Sequence, residues 1–377
     1  MKICMITTVH APLDQRIFHK ESKSLLNVGH SVTIIAPDDD KYTKQVDGIY
    51  IKTIKRAKKI FHPLTMVRVF LLGLKQDCDV YHCHEPGSLL VCSLLKIIKR
   101  KKLVYDAHEH YALLIATNPI FPKILQQIIY KISDVGEKFL TSTFPESVIT
   151  VDEILGNKFR EICTNVWIIS NYPKIELFED THLKTNIENK NLIYVGGLTE
   201  ERGIMEIILA FENVLKKIPD AKLLFVGGFY HQHFKSRIMD YYHKQGLEKN
   251  IDFVGQVPYS KVAGYMKEAN VAISVLQPNG RYELGISVKF YEYMCAGLPI
   301  VINNFKYMKQ LAEEIKCGIP VNPTDIKEIS NAIIWFFEHP KKARQMGENG
   351  RRAAENCFSW EIMEKRLAKM YDEIQIN

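Results

Sequence analysis

The feature that most constrains this chain is an alternation, carried through twice, of short β-type runs with helix-length amphipathic segments. Strands separated by helices need crossover connections, and crossovers produce parallel sheets with helices packed on their faces. In the first half the strands read as Lys2–Thr7, Ser31–Ala36, Val80–His82, Leu103–Asp106, Ser147–Val151 and Val166–Ile169. A first helix is expected over Gln15–Val28, with Gly29 as its terminator. The pattern breaks at Asn171-Tyr172-Pro173, and the polar stretch Glu179–Asn191 reads as a linker. It then restarts with a strand at Leu192–Val195, a helix at Ile204–Lys217, and strands at Lys222–Val226, Ile251–Val254, Val271–Val275, Pro299–Ile302 and Gly318–Val321. The expected fold class is α/β, in two doubly wound Rossmann-like units over residues 1–172 and 190–360. A last helix in 361–377 is expected to pack back on one of them.

Composition narrows the classes. Of 377 residues, 46% are hydrophobic and 25% charged, the balance of a globular protein rather than a disordered one. The longest apolar run, Gly87–Ile98, already contains Lys96 and falls short of the roughly 20 residues a membrane span needs. Met1-Lys2 leads only a short apolar stretch, so no secretory leader is expected. The eight cysteines form no Cys-x-x-Cys pair, which argues against a disulfide framework or zinc ribbon and fits a reducing cytoplasm. Cys78, His82, Cys83, His84 and Glu85 crowd together, but their spacing matches no common metal site. The net charge is +7, and residues 1–175 hold all of it, with 24 Lys and Arg against 17 Asp and Glu. Two clusters concentrate it, Lys52–Lys59 and Lys96–Lys102. They read either as a solvated basic surface or as a surface for an anionic partner such as a membrane leaflet. No nucleic-acid-binding motif accompanies them.

In open α/β sheets, ligands sit beyond the carboxyl ends of the strands, where loops enter helix N-termini. Two such places carry chemistry here. Strand Leu192–Val195 runs into Gly196-Gly197-Leu198-Thr199-Glu200-Glu201-Arg202-Gly203. Glycines there let the backbone approach a ligand, and Arg202 is a fixed cation for phosphate oxygens, or else an ordinary surface arginine. The second place runs from Arg281 to Val301. Gly285 and Ser287 introduce a helix with Lys289 and Glu292 on one face, and Gly297-Leu298-Pro299 ends it. A cation at the helix start suits a diphosphate, and a carboxylate one turn later suits ribose hydroxyls. A surface Lys–Glu pair is the plainer reading.

The stretch Lys289–Val301 resembles the nucleotide-sugar motif of retaining GT-B glycosyltransferases of family 4. That motif has two glutamates separated by seven residues, the second in a Glu-x-Met-Ala-x-Gly-x-Pro-Val setting. The Val195–Gly203 loop, Phe225-Val-Gly-Gly228, Phe253-Val-Gly-Gln-Val-Pro258, Asp14-Gln-Arg-Ile-Phe-His-Lys-Glu21 and Tyr105-Asp-Ala-His-Glu109 are similar as well. So is Phe358-Ser-Trp360 with its following helix, and the likeness covers essentially the whole chain. It departs in two places: the first glutamate falls on Leu284, with Glu283 one position off, and Gly197 stands where the family has an arginine.

The resemblance implies two Rossmann-like domains facing across a cleft, and transfer of a sugar from a nucleoside-diphosphate donor to a glycan or polyprenyl-linked acceptor, as in surface polysaccharide assembly. No cofactor or metal is implied, and no Asp-x-Asp metal pair is expected. The departing diphosphate would then rely on helix N-termini and cations. His108, Arg202 and Lys289 would act at the reacting sugar and diphosphate. Gly196, Gly197, Gly228, Val257, Glu283, Gly285, Ser287 and Glu292 would hold the donor, and His10, Asp14, Arg16, Glu85 and Glu109 would lie on the acceptor side. Asp14 has a plainer role as a helix cap. The basic first half suggests peripheral contact with the cytoplasmic face of a membrane. Two rivals remain open: a nucleotide-sugar 2-epimerase of the same architecture, and a non-catalytic nucleotide-sugar-binding partner.

Overall fold

The structure, a computed structural model, describes residues 1–58, 61–117, 122–179, 189–280, 282–283 and 285–376. Lys59, Arg281, Leu284, Asn377 and most of the expected linker (180–188) lie outside them. The chain divides into two compact units, Met1–Asn171 with Ile362–Asn377, and Tyr172–Glu361.

The first unit is built on β1 (Lys2–Ile6), β2 (Ser31–Asp38), β3 (Thr43–Val46), β4 (Ile49–Lys55), β5 (Val80–Cys83), β6 (Lys102–Ala107), β7 (Ser147–Thr150) and β8 (Val166–Ile168). Its sheet has the order β3-β4-β2-β1-β5-β6-β7-β8, parallel throughout except for the edge pair β3–β4. That pair is a hairpin turned by Asp47 and Gly48, both at positive φ (49° and 81°). The hairpin left no period in the sequence because β3 is a mostly exposed edge strand with neither face buried. Interior strands such as β5 and β7 are buried at every residue, as a sheet covered on both faces requires.

In place of the single helix expected over Gln15–Val28, the chain makes a π-helical turn, Ile17–Ser22, before α1 (Lys23–Asn27). The wider ring lets five of its six residues face inward, Glu21 among them, and Ser22 Oγ donates to the Ile17 carbonyl at 2.6 Å. The other helices of this unit are α2 (His62–Leu74), α3 (Pro86–Lys99), α4 (Tyr111–Ala116), α5 (Lys123–Thr143) and α6 (Glu153–Arg160).

The second unit carries β9 (Asn191–Val195), β10 (Lys222–Val226), β11 (Ile251–Gly255), β12 (Val271–Ser274), β13 (Ile300–Asn303) and β14 (Gly318–Val321). All pairs are parallel, in the order β11-β10-β9-β12-β13-β14. This is the doubly wound Rossmann order, and its reversal point lies between β9 and β12. The same logic puts the first unit's reversal point between β1 and β5. Helices α7 (Ile204–Lys217), α8 (Gln232–Lys244), α9 (Tyr259–Met266), α10 (Val288–Cys295), α11 (Lys306–Ile315), α12 (Ile326–Glu338) and α13 (Pro340–Cys357) cover the second sheet. Two apolar clusters pack on it, one centred on Phe211 and Phe225, the other on Phe290 and Met294.

The last helix, α14 (Trp360–Ile376), docks on the first unit through buried Leu367, Met370 and Tyr371. The Tyr371 hydroxyl lies 2.9 Å from His82 Nδ1, the Ser170 N–H approaches Met363 sulfur at 3.2 Å, and Lys102 Nζ reaches the Ile374 carbonyl. Because His82 is fully buried, Tyr371→Phe leaves one imidazole nitrogen unpaired. We expect a loss of about 1–3 kcal/mol, read as a lower urea midpoint, with unchanged stability counting against this anchor.

Candidate functional site

Each reversal point gathers polar side chains. In the second unit, β9 and β12 pair only at Val271–Leu192 and Ala272–Ile193, and beyond that the strands diverge. Tyr293 of α10 fills the gap. Its fully buried hydroxyl accepts from the Val195 N–H at 2.9 Å and donates to the Ile273 carbonyl at 3.3 Å. This fixes α10 against the ends of both strands, and Lys289 sits one turn before Tyr293, at the helix start.

Beside it, the β9–α7 loop is shaped by close backbone contacts. The Gly196 N–H bonds the Val226 carbonyl at 2.8 Å, and the Leu198 N–H bonds the Gly228 carbonyl at 2.8 Å. At Gly227 (φ 154°) a Cβ would stand 2.0 Å from the Gly196 carbonyl oxygen, so no side chain fits between the two loops. A short 3₁₀ turn, Glu200–Arg202, ends at Gly203 (φ 70°) and turns Arg202 back on the loop, where its Nη1 donates to the Gly197 carbonyl at 3.2 Å.

Lys289 and Arg202 meet over Gly196. A Cβ placed there would lie 2.2 Å from Lys289 Cε, 2.9 Å from its Nζ and 3.5 Å from Arg202 Nη1. Loss of water around the Lys289 ammonium, with repulsion from Arg202, pushes its pKa down to about 7 against the weaker pull of Glu292. Two basic groups thus meet over one stretch of backbone, with Glu292 as the opposing charge on the lysine. Glu292 is buried and accepts from the Tyr259 hydroxyl at 2.7 Å.

The remaining residues expected on this side lie at varied distances from that centre. Ser287 is the N-cap of α10, and its side chain makes no capping bond. Gly228 and Val257 belong to the flanking loops, with Val257 packed on the second apolar cluster. Gly285 precedes the cap. Glu283 is exposed and accepts from the Gly280 N–H at 2.8 Å, turned to its own loop. Leu284 lies outside the described residues.

In the first unit, Asp106 at the end of β6 takes a bidentate pair from Arg16, Nε to Oδ2 at 2.7 Å and Nη2 to Oδ1 at 3.0 Å. Arg16 Nε is also 2.9 Å from Glu21 Oε1, and Nη2 donates to the Ile169 carbonyl at 3.0 Å. His84 Nδ1 and His108 Nδ1 each stand 3.3 Å from Asp106 Oδ2. Burial raises both carboxyls. For Asp106 the pull of Arg16 and His108 prevails and holds it well below the carboxylate range. For Glu21 the charge of Asp106 adds to burial and lifts it well above. Arg16 thus stands against an Asp106 held in its ionised form, while Glu21 is pushed toward its protonated form.

Glu21, His82, His84 and Asp106 have the donor atoms of a metal site and lie within reach of one another. Arg16 already stands as the cation between Glu21 and Asp106. Two Asp-x-Asp triplets do occur, contrary to the expectation from sequence. Asp77 and Asp79 bind Lys2 at the amino ends of β1 and β5, away from this centre, and Asp38, which opens Asp38–Asp40, accepts from the Tyr42 hydroxyl.

The structure reassigns two of the residues expected on the acceptor side. Arg16 is 3% exposed and engaged with Asp106, and Glu85 is 3% exposed. The Glu85 oxygens accept from the Thr7 and Thr8 hydroxyls at 2.9 and 2.8 Å and from the Thr8 N–H, and its backbone joins Ser88 in capping α3. Asp14 Oδ1 caps the π-helical turn through the Arg16 and Ile17 N–H groups, and Oδ2 lies 3.5 Å from His10 Nδ1. His10 and His108 share an Nε2–Nε2 contact of 3.2 Å, with the Tyr111 hydroxyl 3.1 Å from the same His108 nitrogen. Glu109 is exposed on the loop that follows. Sequence reasoning gave no role to Tyr111 or Tyr371, named His82 only within a crowd that matched no metal site, and quoted Glu21 only as the end of a similar stretch.

Comparison with known proteins follows the same division. A family profile described as Glycosyltransferase Family 4 matches residues 15–171, and one described as Glycosyl transferases group 1 matches 178–353. An uncharacterized glycosyltransferase of Methanocaldococcus jannaschii is 25% identical over 324 residues, covering 81% of this chain and 78% of its own. A capsular polysaccharide biosynthesis glycosyltransferase of Staphylococcus aureus is 21% identical over 346 residues, covering 90% and 89%. Among solved structures, a sucrose-phosphate synthase from Thermosynechococcus elongatus superposes with a TM-score of 0.76 at 18% identity, covering 100% of this chain and 99% of that one.

Two outcomes follow from the geometry. Arg16→Met leaves Asp106 as an uncompensated buried charge and should cost about 3–5 kcal/mol in chemical denaturation, with Arg16→Met/Asp106→Leu recovering part of it. At the other centre, a dianionic ligand held against Lys289 would restore its charge, so above pH 7 its binding would take up a proton. Affinity should be level below about pH 6 and fall by up to about tenfold per unit above pH 7. Calorimetry at several pH values in buffers of different ionisation heat reads this, and Lys289→Met should flatten the profile.

Proposed function

Because this chain is a GT-B glycosyltransferase of the family 4 type, we propose that it moves a sugar from a nucleoside-diphosphate donor to a glycan or lipid-linked acceptor, with retention of anomeric configuration, in surface polysaccharide synthesis. The observation that carries this reading is the meeting of Arg202 and Lys289 over Gly196 at the reversal point of the second sheet. Breaking a sugar–diphosphate bond gathers about two negative charges on the leaving group, and preorganised cations with backbone N–H groups stabilise such charge as it develops. Lys289, at the start of α10, and Arg202 sit where that diphosphate would lie. Glu292, held by Tyr259, is the acceptor for hydroxyls of the ribose one turn further along. No metal is assigned a role in this scheme.

On the first unit, His108 is the group for a sugar hydroxyl. Asp106 orients its Nδ1 face, and Nε2 looks toward His10 and Tyr111. His10 and Asp14 remain on the acceptor side. Support for polysaccharide synthesis comes from the relative whose name places it in capsule biosynthesis. A cytoplasmic enzyme touching the membrane through its basic first unit would meet a polyprenyl-linked acceptor there.

Thermal-shift titration with UDP, GDP and ADP sugars tests the donor reading, since a ligand that binds only the folded state raises the midpoint. One base family should raise it, and Lys289→Met and Arg202→Met should each remove most of the rise. No response to any nucleotide sugar would overturn the assignment. Conversion of the nucleotide sugar without acceptor would favour the 2-epimerase reading, and binding without turnover when acceptor is supplied would favour a non-catalytic role.

A further inference from the structure

Helix α5 is inside out. Its 21 residues lie on the first unit, yet the two side chains it buries are Glu137 and Thr141. Glu137 accepts from the Tyr105 hydroxyl at 2.6 Å and pairs with Lys158 at 2.8 Å, so the helix docks by its polar side. Ile124, Ile128, Ile132, Val135 and Phe139 face outward, each between 55% and 84% exposed. At 3.6 residues per turn these five fall within an arc of about 80°, a continuous apolar stripe more than three turns long.

The stripe does not stand alone. Helix α3 packs beside α5 and α2 beside α3. α3 is apolar almost all round, with Leu89, Val91, Cys92 and Leu95 buried while Leu90, Leu94, Ile97 and Ile98 remain exposed. On α2, Leu64, Val67 and Leu71 are exposed as well. Among the described residues, the second unit exposes only Leu177, Tyr230 and Tyr307 of comparable size. Monomeric proteins rarely leave an apolar face of this extent uncovered.

Charge selects the occupant. Lys99, Arg100 and Lys101 stand at the end of α3, Lys123 and Lys131 on α5, and Arg68 and Lys75 on or just after α2. The acids of α5, Asp134 and Glu137, are paired with Lys138 and Lys158. A second copy of the chain would bring the same positive charge against itself, whereas an anionic lipid surface complements it. No helix among the described residues is long and apolar enough to cross a membrane, which leaves contact along the surface.

We propose that the outer faces of α2, α3 and α5 form a bilayer-contact surface in which the α5 stripe enters the headgroup boundary of an anionic leaflet, with the flanking lysines and arginines on the phosphates. This rests on the lipid-linked acceptor reading only for its purpose, because vesicle binding is measured without donor or acceptor.

The test is sedimentation of the full chain with phosphatidylcholine vesicles containing or lacking phosphatidylglycerol. Binding to the anionic vesicles is expected to persist in part at 0.5 M NaCl. It should fall at least tenfold in Ile132→Asp/Phe139→Asp and also in Lys99→Glu/Lys101→Glu. Ile132 and Phe139 are exposed and Lys99 and Lys101 half-buried, and unchanged circular dichroism confirms that both variants fold. No binding, or apolar-to-Asp variants that bind as the parent does, overturns the proposal. So does a concentration-dependent dimer in light scattering that Ile132→Asp/Phe139→Asp dissolves, because the face would then belong to a second copy. Loss of vesicle binding with transfer to a water-soluble acceptor intact would sink this proposal alone. Loss of nucleotide response with vesicle binding intact would sink only the donor assignment.

Discussion

The second unit depends on one hydroxyl. Parallel strands on either side of a reversal point must diverge, because their crossovers leave in opposite directions, and the divergence exposes unpaired backbone groups at their carboxyl ends. Tyr293 meets two of those groups, the Val195 N–H and the Ile273 carbonyl. A phenylalanine has the same shape but leaves both unmet. With Tyr293 in place, α10 has one seat on the sheet, and the direction of Lys289 follows from helical geometry. The position of the cation is therefore set by the sheet, and the loop need not hold it.

The first unit meets the same topological situation with the opposite electrostatics. At its reversal point Arg16, Asp106 and Glu21 are removed from water and set against one another, with His84 and His108 leaning on the same carboxylate. Such a cluster is costly to assemble but rigid once assembled, since each member's removal strands another. At the second unit's reversal point Arg202 repels Lys289 against the weaker pull of Glu292. The first centre sets opposite charges in contact, whereas the second brings two basic groups together over one glycine.

The layout was legible in the sequence because period and length carry it: buried parallel strands are continuous apolar runs, and helix Ile204–Lys217 matches the expected range residue for residue. Arg202 and Lys289 were legible because glycine-rich loops at strand ends are where cations meet anions. Roles were harder. Arg16 and Glu85 looked available because nothing in a string of residues shows that Asp106, 90 positions away, or Thr7 and Thr8, 78 and 77 positions away, will hold them. The π-helical turn escaped for the same reason, since its ring size answers to the burial of Glu21 and no local propensity encodes it. Helix α5 shows a third limit: no helix was read over Lys123–Thr143, and which side faces inward depends on Tyr105 and Lys158.

Gly197 is a case where an apparent loss has a structural cause. A Cβ at this glycine would lie 2.6 to 2.8 Å from three atoms of the Tyr230 phenol, so an arginine could enter only if that ring moved away. The ring also lies 5.8 Å from the Arg202 guanidinium, near enough to favour its charge. A third cation at 197 would stand beside Lys289 and Arg202, which already repel each other strongly enough to help bring the lysine to about 7. Added positive charge would lower that value further and leave Lys289 neutral when a diphosphate first arrives. The ring is exposed and meets position 197 by its tip, so it can swing aside; charge weighs more than space here, since a glycine leaves the two cations as they are.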